Sequence, residues 1–109
     1  MKPAVFLGNS LAHLRQFPKM ARRELGYQLE QVQQGRDPDD WKPMKAIGPG
    51  VREIRVRDES GAFRVIYVAS FTDAVYVLHA FQKKSRRTSP TDLALAEVRF
   101  RALRRSVAR

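Results

Sequence analysis

The segment VYVLHAFQKKSRRTSP, residues 75–90, ends an alternating apolar run in Lys83, Lys84, Arg86 and Arg87, with no acidic residue among them. Cations held at a fixed scaffold edge suit one kind of chemistry. They can converge on a phosphate and stabilise the negative charge that builds on its oxygens as it becomes pentacoordinate. A free basic tail would supply only loose attraction, so the position of KKSRR between a strand and a capped helix gives the cluster its weight. Two earlier segments add to it. VREIRVR, residues 51–57, sets Arg52, Ile54 and Val56 on one side and Val51, Glu53, Arg55 and Arg57 on the other, which makes one side nearly all ionic. FRVIYVA, residues 63–69, is apolar on both sides except at Arg64, which must pair with an acid such as Glu53 or bind an external anion. His79 is expected to share a face with Val75, Val77 and Phe81 and reads first as a hydrogen-bonded structural histidine.

Other chemistries have no foothold. The two histidines, His13 and His79, are far apart in sequence, and there is no HxxxH pair or carboxylate cluster, so no metal is expected. No phosphate-cradling GxxxxGK[ST], dinucleotide GxGxxG or nucleophile GxSxG occurs, and no small-molecule cofactor is expected. With no cysteine, disulfides and thiolate metal sites are excluded. There is no secretory leader pattern and no apolar run of membrane-spanning length, so the expectation is a soluble cytoplasmic protein without membrane contact.

The charge balance points to a polyanionic partner: 21 basic against 11 acidic residues give +10 and a pI of about 10.9. Residues 82–109 hold nine of the bases and two of the acids, a net +7. Such a field speeds encounter with polyphosphate and adds affinity by counterion release, but carries no sequence information.

The elements that must position these groups can be read from periodicity. PAVFL, residues 3–7, suits a short strand ended by Gly8, and Asn9 or Ser10 can cap a helix. Pro18 divides the next region into helices over about 10–16 and 18–34. In the second, Ala21, Leu25, Leu29 and Val32 form one apolar stripe, and Gly35 closes it. RDPDDWKPMKAIGPG has no periodicity and reads as a connecting loop anchored by Trp41. Strands over about 51–57, 63–70 and 75–82, joined by short turns, make an antiparallel meander. Ser89, Pro90 and Asp92 then start a helix whose Leu93, Ala96, Phe100, Leu103 and Val107 form a stripe. The 109 residues are expected to form a single domain, an α+β fold with helices over one face of a small curved antiparallel sheet, the other face being free.

The succession GVREIRV, GAFRVIYVA, VLHAFQKKSRRTSP and AEVRFRAL, with FLGNSLAHLRQFP and RRELGYQLEQVQQG upstream, resembles phage-derived toxins of the RelE/HigB-like superfamily. The most specific pieces are E-x-R, R-V-x-Y and L-H-x-F-x-K-K at these intervals before a proline-started helix. The resemblance implies a RelE-like fold with N-terminal helices and a C-terminal helix. It also implies the toxin of a type II toxin–antitoxin module, neutralised by a cognate helix-turn-helix antitoxin. Many members cut mRNA on the ribosome, using the RNA's own 2′-hydroxyl as nucleophile. By position, Arg55 and Arg64 match basic phosphate-binding residues, Lys83 and Lys84 match a basic pair, and Tyr67 and His79 fall near the cleft. The expected catalytic set is Arg64, Lys83, Lys84 and His79. Proton transfer falls to a lysine whose pKa neighbouring cations depress, or to His79. Arg52, Arg55, Arg57, Tyr67, Arg86 and Arg87 are the expected RNA contacts, with Tyr67 stacking on a base. By alternation Arg64 and Tyr67 fall on opposite faces unless a bulge intervenes, and no histidine–carboxylate pair is evident. A gyrase-inhibiting toxin of the ParE type, or a non-enzymatic nucleic-acid-binding module, is the alternative. The nuclease reading requires cations from separate segments to gather in one concavity.

Overall fold

The structure is a computed structural model in which residues 1–107 are described. Its elements run β1 (Ala4–Phe6), α1 (Ser10–Arg15), α2 (Lys19–Gln33), β2 (Trp41–Pro43), β3 (Val51–Asp58), β4 (Gly61–Val68), β5 (Val75–Lys83) and α3 (Pro90–Val107). The five strands form one sheet in the order β1-β5-β4-β3-β2. The meander β3-β4-β5 is antiparallel, as its short connections require.

Two strands at the sheet's edges depart from expectation. β1 pairs in parallel with β5, Ala4 opposite Val75, because α1, α2 and three further strands intervene between the two. The segment around Trp41, expected as loop, adds three residues antiparallel to β3, Trp41 opposite Ile54. Pro43 fits there because an edge strand needs no inward N–H at that residue.

Alternation along β4 decides the packing. Phe63, Val65 and Tyr67 enter a core with Leu14, Ala21, Leu25, Leu29 and Val32 of α1 and α2. Ile66 and Val68 enter a second core with Ala96, Phe100 and Leu103 of α3. The sheet is therefore covered on both faces, not on one: α3 is amphipathic and buries its stripe on the face expected to be free. It covers only part of that face. The core it joins takes in Val51 at the start of β3, the end of β4 and β5 as far as Phe81, and the side nearest the β3–β4 hairpin stays open.

The helix starts differ from one another. Asn9 makes no side-chain cap for α1; its Oδ1 instead accepts from Arg99 Nη2 at 2.6 Å. At α3 the cap forms as expected, Ser89 Oγ accepting from the Asp92 N–H at 3.1 Å. Gly35 closes α2 at φ 85°, and Arg36 N–H bonds back to Gln31 O.

Gly48 is the tightest approach to α3, since a Cβ there would overlap the Phe100 ring. Gly48→Ala is expected to displace Phe100 and cost about 1–3 kcal/mol, seen as a lower Tm. A Gly26→Ala control, whose added Cβ would meet nothing within 4 Å, should raise stability through helix propensity.

Candidate anion-binding concavity

The uncovered end of the α3-side face is a hollow of about 510 Å3 lined by Arg55, Arg57, Asp58, Gly61, Ala62, Arg64, Lys83, Lys84, Ser85 and Arg86. Each cation arrives from a fixed element. Arg55 and Arg57 are alternate residues of β3, Arg64 sits directly opposite Arg55 on β4, and Lys83 ends β5 opposite Ala62. Lys84, Ser85 and Arg86 begin the segment that leads to α3, where Ser85 Oγ donates to Arg87 O at 2.8 Å and so shapes the turn. Six cations against Asp58 leave the lining at a net +5. Like charges placed across a strand pair repel, so this arrangement is costly without an anion.

One buried acid offsets part of that cost. Glu53 is 1% exposed, and its Oε1 lies 3.5 Å from Arg64 Nε. Arg64 therefore does pair with Glu53, while its Nη1 donates to Phe63 O at 3.2 Å. The pair is loosely made: among the described residues Arg64 Nε and Glu53 Oε2 both lack a hydrogen-bond partner, as does Arg55 Nε. Burial pulls Arg64 below the ordinary arginine range, and Glu53 opposes this; the guanidinium stays charged. Lys83 is also held below the ordinary lysine value, first by desolvation and then by the nearby Arg64 charge. A lysine so placed gives up its proton more readily than a solvated one.

The other expected residues lie elsewhere. His79 is 1% exposed and does not line the hollow. A register shift against Ile66/Tyr67 places Val77 opposite Tyr67 and His79 opposite Ile66, leaving Leu78 as the extra residue. His79 is thereby turned from the face of Val75 and Val77 to the α3 side, where its Nε2–H donates to Asp92 Oδ1 at 2.7 Å. A histidine–carboxylate pair thus exists, contrary to expectation, and it ties β5 to the first turn of α3. The same Asp92 accepts from Ser89 Oγ through Oδ2 at 2.6 Å. Nearby, Arg99 Nη1 donates to Leu78 O at 2.8 Å, a carbonyl beside the bulge. Arg52 and Tyr67 lie on the α2 side at the opposite end of the β3–β4 pair, so Arg64 and Tyr67 do face opposite ways. Arg87 is exposed and is not part of the lining.

Desolvation holds His79 below its ordinary value, although Asp92 acts against this. The unfolded chain therefore binds this proton more readily than the native one. The stability tied to neutral His79 is full above about pH 6.5 and falls as pH drops through that value toward the lower native pKa. The Tm should decline between pH 7.5 and 5.5, and His79→Gln should flatten that slope; equal slopes in both proteins would assign the effect to another group.

Among the described residues no group of three or more His, Cys, Asp or Glu could hold a metal ion. No helix there is long and apolar enough to cross a membrane. The comparison with curated proteins found no match. A family model does match, the phage-derived protein Gp49-like family (DUF891), over residues 12–101, which is 90 of the 109 residues and spans every element that lines the hollow. The chain therefore belongs to the Gp49-like phage-derived family, a RelE/HigB-like group of toxin–antitoxin toxins.

Proposed function

We propose that the chain is a ribosome-dependent mRNA endoribonuclease, acting in the cytoplasm as one catalytic domain and silenced by a helix-turn-helix antitoxin. The observation that carries this reading is the gathering of Arg55, Arg57, Arg64, Lys83, Lys84 and Arg86, from three strands and one loop, around a single hollow. In the proposed reaction the 2′-oxygen of the mRNA attacks the adjacent phosphorus and the bond to the 5′-oxygen breaks. The products are a 2′,3′-cyclic phosphate and a free 5′-hydroxyl. Lys83, with its lowered pKa, takes the 2′ proton, and Lys84 returns one to the leaving 5′-oxygen. Arg64, fixed by Glu53, and Arg55 hold the non-bridging oxygens. Arg57, Arg86 and the exposed Arg87 follow the backbone on either side. His79 acts through β5 and α3 and does not touch RNA.

The test is purified protein with programmed ribosomes and end-labelled mRNA. Cuts that require the ribosome and leave a cyclic phosphate support the reading. Intact mRNA together with inhibition of gyrase supercoiling would replace it with the gyrase-directed alternative.

A further inference from the structure

The short edge strand β2 brings one further cation to the face of the basic concavity. Lys42 stands directly opposite Glu53. Residues paired across an antiparallel ladder point to the same face, so Lys42 shares the face of Glu53, Arg55 and Arg57, while Trp41 and Pro43 point to the other. Neighbouring strands are about 4.8 Å apart, and Glu53 is roughly 7 Å along β3 from Arg55, so a lysine stem rooted at this position brings its ammonium to the rim of the hollow. The Lys42 charge is among those that hold Lys83 below its ordinary value, which agrees with that placement. Lys42 is exposed, and among the described residues its ammonium makes no ion pair.

The surroundings of the hollow decide which way a bound strand can run. On one side α3 sets Ala96 and Phe100 against the sheet and closes the face. At the β3–β4 turn stand two acids, Asp58 and Glu59, and Asp58 lines the hollow, so a polyphosphate is repelled from that end. Two ways remain. One passes Lys84 and Arg86 toward the loop before α3, and the other crosses β3 to the edge strand, where Lys42 stands. Asp40, just before β2, acts by charge on Arg64 and so lies near the second way. A phosphate leaving by that route therefore has Lys42 as its partner, beside an acid that cannot replace it. An edge-strand lysine also discourages strand-to-strand aggregation, a role that needs no RNA.

We infer that Lys42 is a further RNA-binding residue, holding the backbone phosphate next to the one gripped by Arg55 and Arg64, so that the strand crosses the meander from the KKSRR loop to the β2 edge. The inference rests on the nuclease reading for the identity of that strand as mRNA, but binding alone can test it.

The probe is a fluorescent single-stranded RNA of about ten nucleotides carrying 2′-O-methyl groups, which binds without being cut because its nucleophile is blocked. Its affinity for the full chain is measured between 50 and 200 mM salt. Lys42→Ala is expected to weaken binding about fivefold at the lower salt and to make the log–log salt slope shallower by about 0.7, the value of one lost contact to a single strand. Lys42→Arg keeps the cation and should keep the slope. Lys45→Ala removes the same charge from a nearby exposed lysine that does not line the concavity, and should leave the slope unchanged. On the ribosome Lys42→Ala should raise KM by a similar factor and spare the rate at saturation. A wild-type slope in Lys42→Ala, equal losses in Lys42→Ala and Lys45→Ala, or no saturable binding of the probe by the wild type would overturn the inference, and none of these touches the evidence from ribosomal cleavage. A wild type that binds the probe with the Lys42-dependent slope yet leaves programmed mRNA intact would uphold the inference and remove the nuclease reading.

Discussion

Replacing Lys83 and Lys84 together by alanine is expected to abolish growth arrest on expression and to lower ribosome-dependent mRNA cleavage by at least about a hundredfold. The chain should remain folded. Lys83 is half-buried at the end of β5 and Lys84 is exposed, and among the described residues neither forms an ion pair with an acid. Removing two of the six cations from the hollow relieves repulsion within the apo protein, so stability should change by no more than about 0.5 kcal/mol. The informative control is Arg101→Ala/Arg104→Ala, which lowers net charge by the same amount on α3, away from the hollow. If both double variants lose activity equally, the excess charge acts as a general field and the concavity has no special standing. If only the first loses it, position matters more than charge. Binding to RNA should also weaken with salt in both wild type and the α3 variant, and with a shallower slope where a phosphate contact has been lost.

The fold and the hollow are legible in the sequence to different degrees, element by element. The alternation in FRVIYVA identified β4 as a strand buried on both faces, and that is the reason Arg64 stood out and found Glu53. The step from strand alternation to the helical stripe of Leu93, Ala96, Phe100 and Leu103 placed α3, and the Ser89-x-x-Asp92 pattern placed its start. Where periodicity was strong, local structure followed. What the sequence could not carry was register. The extra residue Leu78 leaves no mark in composition, because the bulge contains neither glycine nor proline, yet it reverses the face of His79 and brings it to Asp92. The same limit hid the separation of Arg52 and Tyr67 from the other cations. Strand alternation already put Arg52 on the other side from Arg55 and Arg57, but the hollow it shares with Arg36 and Lys2 depends on how α2 and the N-terminus lie against the sheet. The covered second face had a readable cause, since an amphipathic α3 must bury its stripe somewhere. Where α3 stops, and so how much basic sheet stays open, is a matter of packing distance.

Arg64→Ala, by contrast with the lysine pair, is expected to destabilise the protein by about 3–5 kcal/mol, which corresponds to a fall in Tm on the order of 15 °C or more. Read from sequence, Arg64 either pairs with an acid such as Glu53 or binds an external anion, and its burial beside Glu53 makes the pairing decisive for the fold. The substitution would leave Glu53, itself 1% exposed, as a buried carboxylate without its cation, and the cost is that of the orphaned charge more than of the lost bond. A paired change tests the argument. Glu53→Gln/Arg64→Met removes both charges while keeping side chains of similar length, and should return stability to within about 1 kcal/mol of wild type. Cleavage should stay lost in this double variant, because methionine offers no fork to the phosphate. Arg64→Lys belongs between the two: it retains a cation near Glu53, so the fold should hold, but a single ammonium cannot grip two oxygens and turnover should drop. Recovery of both stability and cleavage in the double variant would remove Arg64 from the site and leave it a structural partner of Glu53. Recovery of stability alone makes the buried pair the device by which β3 and β4 hold one guanidinium steady beside the hollow.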